Sequence, residues 1–312
     1  GTTPMTEESC TIVRAGELLA RLRAQIGNAL VGQAELVDQC IVALCVSGHV
    51  LIEGVPGLGK TLLVRAMAQA MSLGFGRIQF TPDLMPSDIT GHAVLDATTR
   101  ELRIVRGPVF TNVLLADEIN RAPAKTQSAL LEVMQEYQAT LEGESIPLPR
   151  PFIVLATQNP LETEGTYPLP EAQLDRFLMK LDMSYPSLEE EVQVVLRTTT
   201  GQTGDALPLS GVTAVLNDRA VTALQGLTAR QRVDAAVVDY AVRLARGPEH
   251  VPEPPCLILA LNSGRDRDAL GPHTTRDRYR VAEPGLTSGR RYIDEYPISH
   301  CLASGIHANN WP

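Results

Sequence analysis

Aromatic side chains are scarce in this chain. Phe, Trp and Tyr make up 4% of 312 residues, so any core must rest on Val, Leu, Ile and Ala. Cysteine is sparse and unpatterned: Cys10, Cys40, Cys45, Cys256 and Cys301 are odd in number, and no two have CxxC spacing. Neither a zinc site nor a disulfide framework is indicated, and a reducing cytosol fits. Cys40 and Cys45 sit in an apolar, helix-like stretch and are expected in the core. No apolar run approaches the roughly 20 residues that span a bilayer. Gly1 to Glu8 lacks a basic region followed by an apolar one, so no signal peptide is expected. The expectation is a cytoplasmic protein without direct membrane contact. Basic charge is also in deficit: 27 Lys and Arg against 36 Asp and Glu leave a net charge of −9. That balance argues against a nucleic-acid backbone as the main partner. The remaining composition, 44% hydrophobic and 20% charged, is that of a soluble globular protein of one large or two ordinary domains.

Against these absences one pattern stands out. Gly54, Val55, Pro56, Gly57, Leu58, Gly59, Lys60 and Thr61 spell G-x-x-x-x-G-K-[ST]. Val50-Leu51-Ile52 precede it, and Leu62, Leu63, Ala66 and Met67 follow. Strand, glycine loop and helix are the context this phosphate-binding pattern needs. The glycines let several N–H groups face one anion, and a helix N-terminus adds partial positive charge. Lys60 can reach the β- and γ-phosphates, and the Thr61 hydroxyl can ligate Mg²⁺. The nucleotide contact is expected to run from Gly54 to Leu62.

Val113-Leu-Leu-Ala116 is a second buried-strand run, and it ends in Asp117-Glu118. Ligands bind at the C-terminal tips of strands in open α/β sheets. Asp117 is therefore a candidate to hold Mg²⁺, directly or through water. Glu118 is placed to orient and deprotonate an attacking water. Asn159, after Phe152-Ile-Val-Leu-Ala156, can hold that water or touch the γ-phosphate, although Asn-Pro after a strand also makes a turn. Arg176 can neutralise a transferring phosphoryl group or form a surface ion pair with Asp175 or Glu171; spacing does not choose. Arg121 is open between sensing phosphate and packing at a helix start. No Asn-Lys-x-Asp guanine-reading element is found, so ATP is the default nucleotide.

Strands alternate with helices through residue 183, which indicates a mostly parallel sheet covered on both faces. Helical spacing is read over 15–27, 33–46, 60–71 and 124–136. A second short strand is read over 77–80 and a fifth over 177–183. Hairpins are expected over 93–104, turning near Thr98-Thr99-Arg100, and over 138–149 around Gly143. A one-turn helix is the most that 81–91 can hold, and a short helix is read from Pro170 to Arg176. Beyond Ser187 the pattern turns helical, over 187–198, 211–226 and 231–246. After Gly247 periodicity is lost among Pro252, Pro254, Pro255 and the arginines from Arg265 to Arg291.

These segments together resemble the AAA+ ATPases, and within them the MoxR family. The resemblance is carried by residues 54–61, by Arg-Ile-Gln-Phe-Thr-Pro-Asp-Leu-Met-Pro-Ser-Asp-Ile-Thr-Gly (77–91), and by the string from Leu114 to Glu132. It continues through Ala-Thr-Gln-Asn-Pro (156–160) and Tyr-Pro-Leu-Pro-Glu-Ala-Gln-Leu-Asp-Arg-Phe (167–177), and covers about residues 15–246. It implies an α/β fold: a P-loop αβα sandwich with a five-stranded sheet, followed by a small helical lid that looks incomplete. The implied organisation is a tail (1–14), an ATPase core (15–186), a lid (187–250) and an atypical, poorly ordered tail (251–312). Asn159 matches the sensor 1 position. Arg176 matches the family's arginine finger, which acts in trans on a neighbour's nucleotide. The resemblance further implies a homo-oligomeric ring, usually a hexamer. It implies a chaperone-like function on client proteins, with a partner carrying a von Willebrand A domain. The chain departs from the family after Arg246, where no Gly-Ala-Ser-Pro-Arg-like segment supplies a sensor 2 arginine. That departure keeps a rival open: an ATP-binding module without significant turnover.

Overall fold

The computed structural model describes residues 12–95, 100, 102–160, 165–199 and 209–246. The expected turn at residues 98–99 and the tail beyond residue 246 lie outside the described residues. At its centre is a five-stranded sheet: β1 (Val50–Glu53), β2 (Phe75–Gln79), β5 (Val113–Asp117), β8 (Ile153–Gln158) and β9 (Met179–Asp182). Their order is β2-β5-β8-β1-β9, and every pairing in this sheet is parallel.

The strand sequences explain the layering. Val50, Ile52, Val113, Leu115, Ile153 and Leu155 share one apolar cluster. Leu51, Leu114, Ala116, Val154 and Ala156 belong to the other. Side chains alternate across a strand, so an unbroken apolar run feeds two cores at once. The first core is covered by α1 (Ile12–Ala29), α2 (Ala34–Cys45) and α3 (Lys60–Ala70). Val212, Leu216 and residues Ala220, Val221 and Leu224 of α8 (Asp218–Ala229) enter the same cluster. The second core is covered mainly by α5 (Ala124–Glu136), through Leu130, Leu131, Val133 and Met134.

Two hairpins leave the sheet where the sequence places them. One joins β3 (Gly91–Leu95) to β4 (Leu102–Arg106), after the short α4 (Pro86–Thr90); the other joins β6 (Gln138–Leu141) to β7 (Glu144–Pro147). Differences from the sequence reading lie at element ends, apart from a 3-10 turn over Ile119–Arg121 that the reading does not include. α1 begins at Ile12, the second strand at Phe75, and α6 spans only Glu171–Leu174, ending before Arg176. The last helices are α7 (Leu188–Thr199), α8 and α9 (Ala235–Arg246); α8 starts at Asp218, where Asn217 caps it by accepting from the Ala220 N–H. Periodicity alone does not see that cap.

Buried polar groups tie the layers together at the N-terminal end of the sheet. His49 Nδ1 accepts from the Val154 N–H at 3.0 Å, so its Nε2 carries the proton and donates to the Met134 carbonyl at 3.2 Å. Cys40 and Cys45 are buried in α2, and burial pushes both thiols up to about 12. They are packing residues, not nucleophiles. Among the described residues no helix is long and apolar enough to cross a membrane.

Candidate active site

The central strands are buried until their last residue, which rises to the surface. In β1, β5 and β8 every residue is buried except the last, which is half-buried. Glu53, Asp117 and Gln158 therefore emerge along one edge of the sheet. Register aligns Glu53 with Gln158 and with Asp182, and Gln79 with Asp117. β8 lies between β1 and β5. With strands ~4.8 Å apart, the loop after β1 and the acids after β5 are separated by roughly 10 Å.

The loop Gly54–Gly59 runs from β1 into α3. Gly57 and Gly59 have φ of 88° and 91°, values that disfavour any side chain, and Gly59 is the residue that opens α3. Gly54 is buried: a Cβ there would lie 2.8 Å from the Met183 carbonyl oxygen. The loop must therefore pass close to the strand end beside it. Val55 and Leu58 are half-buried and Pro56 is exposed. Thr61 and Leu62 are half-buried in the first turn of α3. The Lys60 ammonium donates to the Gly54 carbonyl. Burial pulls its pKa below the usual lysine value, opposed by the charges of Asp117, Glu118 and Glu53. That opposition places the lysine within electrostatic reach of both acids.

Asp117 and Glu118 are held by Arg121 and by three residues to which the sequence reading gave no role, Thr157, Arg77 and Gln79. Asp117 Oδ1 accepts from the Thr157 hydroxyl at 2.6 Å, and its Oδ2 pairs with Arg77 Nη2 at 2.7 Å. Glu118 Oε2 accepts from Gln79 Nε2 at 2.8 Å and lies 3.4 Å from Arg121 Nε. Arg121 thus sits beside Glu118, at the end of the short 3-10 turn Ile119–Arg121 and ahead of α5. Arg77 and Gln79 are joined by a bond of 2.9 Å. Behind the loop, Glu53 Oε1 pairs with Lys180 Nζ at 2.7 Å and also accepts from Gln158. A sequence signal existed for part of this. Arg77 and Gln79 are two residues apart on a short strand, so both side chains project from the same face of the sheet; which strand lies beside them is not in the local pattern.

Asn159 is buried just past the tip of β8, next to β1 and β5. Arg176 is elsewhere. Its Nη1 donates to the Leu131 carbonyl of α5 at 3.4 Å. Its neighbours Leu174 and Phe177 belong to the α5-side core, whereas α3 packs in the opposite one. The structure thus gathers Lys60, Thr61, Asp117, Glu118 and Asn159 on one sheet edge and sets Arg176 apart from them.

Residues 49–179 match the family model described as the ATPase family associated with various cellular activities (AAA). The chain is 47% identical over 241 residues to the chaperone MoxR1 of Mycobacterium tuberculosis, covering 75% of this chain and 61% of that protein. It is 45% identical over 229 residues to YeaC of Bacillus subtilis, covering 73% and 70%. The chain belongs to the MoxR family of AAA+ ATPases. A crystal structure of a Cytophaga hutchinsonii protein described as an ATPase aligns with a TM-score of 0.68 at 40% identity, covering 75% of this chain and 70% of that one. The MoxR chain described here thus spans about two thirds of the length of these relatives.

Proposed function

We propose that this chain hydrolyses ATP to drive chaperone-like remodelling, assembly or activation of client protein complexes. The single observation that carries the proposal is the convergence of the Lys60 loop and the Asp117–Glu118 pair on one sheet edge, with Lys60 within reach of both charges. The N–H groups of Gly57 to Thr61 and the Lys60 ammonium bind the phosphates. Glu118 takes the proton of the attacking water, and Asn159 orients that water. Arg176 acts on the nucleotide of a neighbouring copy.

The donor set suits Mg²⁺. Among the described residues no cluster of three or more His, Cys, Asp or Glu could hold a metal. Mg²⁺ asks for less: one or two hard oxygen ligands, with water and substrate phosphates completing its shell. The Thr61 hydroxyl and the half-buried Asp117 carboxylate would hold it. When bound, the ion would neutralise charge developing on the transferred phosphate.

A trans-acting Arg176 requires a ring, which we take to be a hexamer of this chain in the cytoplasm. A von Willebrand A domain protein and the client are its further partners; neither a nucleic acid nor a membrane is required. Glu118→Gln tests the core of the proposal. It should leave ATP binding intact and cut steady-state phosphate release about 10²–10⁴-fold. Undiminished release would remove Glu118 from the mechanism. Release absent from the parent at every protein concentration would instead leave an ATP-binding module without turnover.

A further inference from the structure

Thr157 is fully buried in β8, the strand that separates the loop-bearing β1 from the acid-bearing β5. Its hydroxyl has one proton to give and lone pairs to receive. The proton goes to Asp117 Oδ1 at 2.6 Å, and the Thr157 Oγ1 itself accepts from the Glu118 N–H at 2.9 Å. The direction of both bonds is forced, because a carboxylate only accepts and a backbone N–H only donates. One buried oxygen therefore touches both acids of the site.

Each contact has a definite consequence. The bond to Oδ1 holds one oxygen of the Asp117 carboxylate from the buried side, while Oδ2 pairs with the exposed Arg77. The bond from Glu118 holds a peptide in an uncommon conformation. Glu118 has φ 56° and ψ 50°, a left-handed region that residues with side chains enter rarely. That turn takes the chain out of β5 and projects the Glu118 carboxylate toward Gln79. Thr157 also lies two residues before Asn159, so the strand that fixes the acids delivers the amide.

We propose that Thr157 is a positioning residue that sets the metal-facing orientation of Asp117 and the left-handed turn of Glu118 through its one hydroxyl oxygen. The inference rests on the roles given above to Asp117 and Glu118. The competing explanation is packing, in which the Thr157 methyl group fills the core and the hydroxyl is incidental. The two are separable by substitution. Thr157→Val keeps the shape and removes the oxygen; Thr157→Ser keeps the oxygen and removes the methyl group.

The experiment measures ATP affinity by equilibrium titration of the full chain, once with Mg²⁺ and once with EDTA, together with steady-state phosphate release. In the parent, Mg²⁺ should tighten ATP binding. Residues that orient metal ligands typically change metal affinity or activity about 10–100-fold, so Thr157→Val should lose about tenfold or more of the Mg²⁺-dependent gain and of turnover, with EDTA affinity held within about twofold. Thr157→Ser should keep both. The inference is overturned if Thr157→Val keeps the Mg²⁺ gain and turnover, if Thr157→Ser falls as far as Thr157→Val, or if the EDTA affinity of Thr157→Val collapses with the rest. A parent that shows neither a Mg²⁺ gain nor phosphate release would bring down the ATPase reading itself, and this inference with it.

Discussion

Lys60, proposed above to bind phosphate, would set a binding site against the stability of the fold that carries it. Its ammonium is held in a partly desolvated loop, and burial is the first cause of its lowered pKa. A base whose folded-state value lies below its unfolded one is bound to its proton more tightly in the unfolded chain. The cost is therefore present at neutral pH and is relieved as pH rises through the folded value toward 10.5. Lys60→Met should raise the melting temperature at pH 7 in nucleotide-free buffer, and the gain should shrink at alkaline pH. The same variant should lose the stabilisation that ATP confers on the parent, about 2.7 kcal/mol at 100 times Kd. Thermal melts with and without ATP read both effects. A variant that melts below the parent and still responds to ATP would contradict the assignment of Lys60 to the phosphates.

Among the elements, the hairpin of β3 and β4 depends on two glycines at its base. Gly91 has φ 105°, and a Cβ on it would lie 2.2 Å from the Val105 carbonyl oxygen. A Cβ on Gly107 would lie 2.2 Å from the Ile89 carbonyl oxygen. The backbones meet there with no room for a methyl group. Gly91→Ala should destabilise the protein by roughly 1–3 kcal/mol through a strained conformation and a displaced strand. Hydrogen exchange should show the loss of protection concentrated between residues 91 and 106; a uniform loss across the sheet would argue against a local origin. Both hairpins, the sheet strands and α5 were legible in the sequence, because each is a local pattern of apolar residues and turn formers. The loop and the acid pair were legible for the same reason. What was not legible is the set of side chains that hold the acids. Arg77, Gln79 and Thr157 reach Asp117 and Glu118 across strands from some 40 positions away in the chain, and strand order decides those meetings. The Glu53–Lys180 pair was missed likewise, since β1 and β9 are neighbours only once the sheet is assembled.

At the scale of the whole molecule, the two faces of the sheet do different work. The α3 face carries the Gly54–Gly59 loop, and α8 is anchored on that same side through Ala220, Val221 and Leu224. The other face carries α5 and the segment of Leu174, Arg176 and Phe177. An arginine set on the opposite layer from its own loop is suited to serve a different copy. In a ring joined by head-to-tail interfaces, each copy would offer its Arg176 to the site of the next. The trans arrangement makes a prediction that no cis arrangement shares. Arg176→Ala and Glu118→Gln should each be nearly inactive alone. Mixed in equal amounts and allowed to exchange subunits, they should regain phosphate release. An Arg176→Ala copy keeps its own Glu118, and a Glu118→Gln neighbour supplies the missing guanidinium; random assembly forms such pairings at about a quarter of the sites. Recovery should rise with protein concentration and vanish when the two variants are mixed below the assembly range. A mixture as silent as its components at concentrations where rings form would place Arg176 outside its neighbour's reaction and leave it as a structural contact of α5.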